Sequence, residues 1–189
     1  MKKNDLYRFS AICCVISGLF LIIGWTLNIN RDSLTGASIV LIAYVLALFA
    51  FMGIYGIQYK KLKIIGFLGF VLVTAASTLF VPWLFLDIAR ISGVAQEVDW
   101  QEVQDIGPTH VIGVCGGIGF VLGFFLLGAD TIRAKVFSKW PAILLILAGI
   151  MPLIYTWLPI GKLLPRIAGL ALLGFGWNLW ILSRPKIKT

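Results

Sequence analysis

The 189-residue chain is 60% hydrophobic and 13% charged, with 16 Lys and Arg against 8 Asp and Glu and a formal net charge of +8. Soluble domains are about half apolar and a quarter charged, so this balance excludes a soluble fold, and the basic excess belongs with a membrane surface rather than with nucleic acid. Six apolar stretches, 9–28, 37–57, 64–86, 109–129, 140–158 and 166–183, match the roughly 20 helical residues that span a hydrocarbon core about 30 Å thick. They predict an all-α membrane protein, a single domain over 1–189 folded as a bundle of six transmembrane helices.

Lys2, Lys3 and Arg8 precede the first span. Thr26-Leu27-Asn28-Ile29-Asn30 offers no small-x-small cleavage pattern, so the span is expected to be retained. Cys13 and Cys14 enter from this side, whereas Cys115 falls near the opposite face. That separates them by on the order of 14 Å in depth, beyond the roughly 7 Å Cα limit of a disulfide, and all three are expected to be apolar packing residues.

The second and third spans are joined by Lys60, Lys61 and Lys63. On the third, Thr74, Ser77 and Thr78 share a face at i, i+3, i+4 spacing. They either line a polar pocket, together with Asn178 of the sixth span, or bond back to their own helix carbonyls while Asn178 clips two helices together. Pro82 is expected to bend this helix, and Asp87 and Arg90 to pair at its end. The loop that follows, about 89–108, carries Glu97, Asp99, Glu102 and Asp105, and a short interfacial helix is expected around Val94 to Val103.

The fourth span is the most constrained helix. Gly113, Gly116, Gly117, Gly123 and Gly128 project within about 140° of one another at 100° per residue, and Gly113/Gly117 and Gly119/Gly123 form GxxxG pairs. A small-residue face lets a neighbouring backbone approach closely, and the alternative is room for a flat ligand or a lipid chain. His110, the only histidine, stands at the start of this span as a candidate pocket residue, and its plainer reading is an interfacial hydrogen-bonding group. No second His and no Cys stands at ligand spacing, so no metal site is expected. Asp130 and Arg133 look like a boundary pair.

Trp140-Pro141 opens the fifth span, and Pro152 inside it is expected to form a second kink. Trp25, Trp83, Trp100, Trp140 and Trp157 mark interfaces. A faint parallel repeat links Tyr44-Val45-Leu46 to Phe120-Val121-Leu122 and Pro82 to Pro159. Arg184, Lys186 and Lys188 follow the sixth span.

Twelve of the sixteen basic residues fall on the side of the termini, leaving Arg31, Arg90, Lys162 and Arg166 on the other. The positive-inside rule then expects cytoplasmic N- and C-termini, in a multi-pass protein of the inner (plasma) membrane whose basic side meets anionic headgroups. No Asp, Glu, Lys, Arg or His lies at the middle of any span, which argues against a proton-driven pump, a gated ion channel and carboxylate- or His-based acid–base chemistry within the membrane. No cofactor fingerprint and no catalytic residue is read.

The run Leu126-Leu127-Gly128-Ala129-Asp130-Thr131-Ile132-Arg133-Ala134-Lys135-Val136-Phe137-Ser138-Lys139-Trp140-Pro141, followed by a small-residue last span, resembles a pattern of small six-span bacterial inner-membrane proteins. These have a Gly-rich helix followed by an Arg-Ala-Lys/Arg-Val-Phe-x-x-Trp loop. The resemblance covers the C-terminal third and implies no reaction, substrate or catalytic residue. The expectation is a non-catalytic helix-packing or lipid-binding accessory protein whose partners are the bilayer and other membrane subunits or itself. The alternatives are a small transporter or flippase for neutral or amphipathic molecules, and a membrane-embedded enzyme.

Overall fold

In lipid every backbone N–H and C=O must be satisfied within the protein, and a helix does so within a single segment, so continuous apolar stretches of this length form helices. The computed structural model describes residues 3–28, 32–94, 107–155 and 164–184, and among them it contains six helices and no strand. They are α1 (Lys3–Leu27), α2 (Leu34–Gln58), α3 (Ile64–Ile91), α4 (Pro108–Ala134), α5 (Lys139–Tyr155) and α6 (Leu164–Leu182). Five are long and apolar enough to cross a membrane, which makes the chain a multi-pass membrane protein; α5 is the shorter apolar helix.

The helices outrun the predicted spans chiefly at the polar ends. Helix α1 begins at Lys3 rather than 9, α3 runs five residues past 86, and α4 runs five past 129 to Ala134. Hydropathy marks where a segment leaves the hydrocarbon, whereas the backbone ladder continues until something caps it. Pro82 lies inside α3, which carries on through it to Ile91, and Pro152 lies inside α5. The acidic residues of the third loop, the expected helix over Val94 to Val103, and Trp100, Trp157 and Pro159 lie, apart from Val94, outside the described residues.

Turn chemistry sets how consecutive helices meet. The Asn28 side-chain oxygen accepts from Ser33 N at 3.2 Å, and the Ser33 hydroxyl accepts from Gly36 N at 3.0 Å, so the turn and the start of α2 are both capped. Helix α4 follows Gly107, whose φ of 125° only glycine adopts readily, and ends at Lys135 in the left-handed region.

Each helix packs on the next, and α6 returns to pack on α1, so the six close into a ring. Lipid tails are as apolar as leucine, so close backbone approach and hydroxyl-to-carbonyl bonds hold the seams. At α1–α2 the Tyr7 hydroxyl donates to Gly56 O at 3.0 Å and the Ser17 hydroxyl to Ala43 O at 2.8 Å. At α1–α6 a Cβ on Gly18 would stand 2.6 Å from Gly169 O, and one on Gly169 would stand 2.7 Å from Gly18 O, so two glycines bring the helices nearly into backbone contact.

The interior holds Phe51, Ile54, Val73, Leu84, Leu127, Leu145, Phe175 and Leu179, all essentially inaccessible. Every helix also leaves large apolar side chains outside, among them Phe9, Phe49, Leu68, Ile118, Leu147 and Leu170. In water such a girdle would drive aggregation; in a bilayer it is the lipid-facing surface. Of the cysteines, Cys13 and Cys14 are buried and free as expected, whereas Cys115 is also free but belongs to the exposed face rather than to the packing.

Candidate functional site

The described basic side chains gather where α1 begins and α6 ends, with Arg90 and Arg166 at the opposite end. At the basic end the boundary pair of the sequence proves to be a buried cap. Asp130 of α4 has a side chain only 3% exposed, and its Oδ2 accepts from Lys63 N at 2.7 Å and Gly66 N at 3.1 Å. Lys63, the residue before α3, offers no side-chain cap of its own, so α4 supplies the carboxylate that closes the N-terminus of α3. Arg133 pairs with the other carboxylate oxygen and donates to Lys61 O at 2.7 Å, while Gln58 Nε2 donates to Thr131 Oγ1 at 2.9 Å. Four side chains thereby clasp the 58–66 turn to the end of α4.

The polar residues that the sequence offered as one pocket are not brought together. Ser77 borders the interior with its hydroxyl donating to Val73 O at 2.8 Å, and Thr78 is exposed, donating to Thr74 O at 3.0 Å. Thr74 is half-buried with an unpartnered Oγ1, and His110 is exposed at the start of α4. Asn178 serves the basic end: its Oδ1 accepts from Ser138 N at 3.1 Å, and its Nδ2 donates to Ser138 Oγ at 3.0 Å and Gly174 O at 2.7 Å. It thus ties α6 to the residue before α5. Replacing Asn178 with leucine is expected to cost roughly 1–3 kcal/mol, read by denaturant titration in mild detergent, because Ser138 loses a donor and an acceptor together.

The glycine face of α4 divides between two neighbours. A Cβ on Gly123 would meet Val73 N at 2.8 Å, one on Gly119 would meet the Ala76 Cβ at 3.0 Å, and one on Gly116 would meet the Phe80 ring at 2.8 Å, all on α3. Gly128 turns to α5, where the Ala142 carbonyl lies 3.0 Å away; Gly113 has only the edge of Trp83 at 3.6 Å; and Gly117 has nothing within 4 Å. Gly117→Ala is therefore expected to be neutral or to gain up to about 1 kcal/mol from helix propensity, whereas Gly123→Ala loses about 1–3 kcal/mol to overpacking. Unfolding midpoints of the two variants measured side by side check this contrast.

What all six helices share is a cavity of about 40 Å³ on the axis of the ring. Leu21 of α1, Tyr44 and Phe51 of α2, Ser77 of α3, Phe120 and Phe124 of α4, Leu145 and Ala148 of α5, and Pro165, Ala168 and Leu172 of α6 form its wall. Tyr44 and Phe120, matched by the faint repeat, touch here with ring centroids 5.7 Å apart, and Tyr44 stacks on Phe80 at the same distance. A water needs two to four polar partners, and this wall offers only the Tyr44 and Ser77 hydroxyls, the second already donating to its own helix, so the space suits methyl and methylene groups better than water. Sequence periodicity could not reveal this cavity, because its wall is built of the same residue types that face lipid.

No group of three or more His, Cys, Asp or Glu side chains is placed to hold a metal ion among the described residues. Compared with protein-family models, with curated proteins and with solved structures, the chain matches none.

Proposed function

We propose that the chain is a non-catalytic, six-span protein of the bacterial inner membrane, with both termini cytoplasmic, that packs against lipid or partner helices and holds a hydrophobe on its axis. The axial cavity carries this reading. It is mainly apolar and walled by every helix, while the buried carboxylates among the described residues, Asp87 and Asp130, lie at helix ends in ion pairs with Arg90 and Arg133. Such an interior offers apolar burial with no charged side chain in its wall, the polar groups there being the Tyr44 and Ser77 hydroxyls. The distribution of Lys and Arg supports the orientation, and the likeness of 126–141 to small bacterial membrane proteins supports the compartment.

Purification in mild detergent followed by native mass spectrometry tests the reading. A retained lipid, other hydrophobe or membrane subunit is expected, and Ala148→Phe, which fills the cavity, should release a bound hydrophobe. A solitary protein carrying neither hydrophobe nor subunit removes the proposal. Tags on the two ends should report the same compartment.

A transporter or flippase for neutral or amphipathic molecules is the second reading, favoured by the cavity's place on the axis. It requires flux in proteoliposomes that Ala148→Phe blocks, and a cavity that never opens to either side eliminates it.

A further inference from the structure

The aromatic wall of the axial cavity carries a hydroxyl, that of Tyr44, whose proton has no acceptor among the described residues. Tyr44, Ala47 and Phe51 recur at i, i+3 and i+7 on α2, so one stripe of that helix turns to the cavity. Helix α4 is not a neighbour of α2 in the ring, yet the Tyr44 ring reaches Phe120 of α4, and Phe51 meets Phe124 with centroids 6.1 Å apart. The Tyr44 side chain therefore extends from α2 across the interior. Its ring lies nearly parallel to Phe80 of α3, at 16°, and Phe80 meets Phe120 edge to face at 5.1 Å, so three helices hold the phenol in place.

Other hydroxyls inside the bundle close onto carbonyls: Tyr7 and Ser17 do so across the α1–α2 seam, and Ser77 within its own helix. A buried phenol normally finds a partner too, because its desolvation is otherwise uncompensated. Aromatic packing explains where the ring lies and leaves the hydroxyl unexplained. Ser77 Oγ, also on the wall, has lone pairs to offer but no free proton, so a water held by these two groups would have the fewest partners that a buried water accepts.

The occupant that completes this wall is narrowly defined. No charged side chain lines the cavity, so a carboxylate, phosphate or ammonium entering it would be desolvated without a counter-ion. A plain hydrocarbon would fill the space and leave the phenol unpaired. We propose that the cavity binds a small neutral hydrophobe bearing one hydrogen-bond acceptor, a ketone or ether oxygen that takes the Tyr44 proton while its carbons lie against Phe51, Phe120, Phe124 and Ala148. The proposal rests on the reading of the cavity as a hydrophobe site and adds the polar group that the site selects. A volume of about 40 Å³, against the roughly 10–15 Å³ that a single water requires, admits such a molecule or the acceptor-bearing end of a longer one.

The full chain in nanodiscs is titrated with acetone and with isobutene, which has the same shape but a methylene group in place of the carbonyl oxygen, affinities being referred to the concentration in the bilayer. Occupancy is followed at the Ala148 methyl resonance, and the hydrogen bond at the oxygen-bearing ring carbon of Tyr44, identified by its loss in Tyr44→Phe. Acetone is expected to shift both resonances saturably and to bind roughly three- to tenfold more tightly than isobutene. Tyr44→Phe, which keeps the ring, should make the two affinities equal. Equal affinities in the unaltered protein, the result expected if a water already holds the hydroxyl, overturn the acceptor selection and leave the hydrophobe reading intact. A preference for acetone that survives Tyr44→Phe overturns it as well. Where neither probe displaces a co-purified hydrophobe that Ala148→Phe releases, that molecule decides: a neutral one with an acceptor oxygen supports the proposal, and a charged one or a plain hydrocarbon overturns it alone. No probe bound and no hydrophobe retained overturns both readings. If Tyr44→Phe does not fold, the acetone-to-isobutene comparison in the unaltered protein decides.

Discussion

Asp130→Ala is expected to destabilise the bundle by roughly 2–4 kcal/mol in a denaturant titration in detergent. The alanine withdraws a buried carboxylate from Lys63 N and Gly66 N and leaves the N-terminus of α3 without a cap. A lost cap costs about 0.5–2 kcal/mol, and hydrogen bonds to a charged group about 1.5–3 kcal/mol, with overlap between the two. Asp130→Asn keeps an acceptor and should lose about half as much. Arg133→Ala should cost only about 1 kcal/mol, because the arginine side chain is 43% exposed and solvent screens the pair. Equal losses in Asp130→Ala and Arg133→Ala would place the stability in the ion pair and not in the cap.

The seam that closes the ring should be just as sensitive to a single side chain. Gly18→Leu is expected to separate α1 from α6, since even the first carbon would meet Gly169 O at 2.6 Å and Leu173 N at 3.1 Å, both backbone atoms that yield only if the helices part. An added methyl group in such a place costs about 1–3 kcal/mol, and leucine more. Spin labels at the exposed positions Ile23 and Leu170 should report a separation larger by about 2 Å, within the range over which contacting side chains set interaxial distance. An unchanged label distance with unchanged stability would show that the ring does not depend on this contact. Because Leu21 and Ala168 flank the same seam, hydrophobe retention should fall with it.

Much of this molecule is visible in one dimension. The membrane, the helices near their observed places and the pairing of Asp87 with Arg90 all follow from residue type and spacing. Ser77 and Thr78 bonded to their own helix carbonyls were one of two readings that spacing left open. Asp130 shows where such reasoning stops: i, i+3 spacing finds its partner Arg133, but nothing local reveals that its second oxygen caps a helix more than sixty residues earlier. Asn178 and the glycines of α4 show the same limit. Angular projection gathers five glycines on one face, yet that face meets α3 at Gly123, α5 at Gly128 and open space at Gly117. The glycines of the α1–α6 seam, Gly18 and Gly169, stand in no GxxxG pair, so spacing gives no sign of their contact.

The amino-acid sequence by itself determined the solvent of this protein, its helical class and the ends at which its charges lie, because hydropathy and backbone hydrogen bonding belong to each segment alone. Only the tertiary structure decided the closed ring, the clasp on the 58–66 turn and the axial cavity. A helix face turned to lipid and one turned to another helix are equally apolar, so composition does not distinguish them, and the choice falls to close packing between segments far apart in the chain.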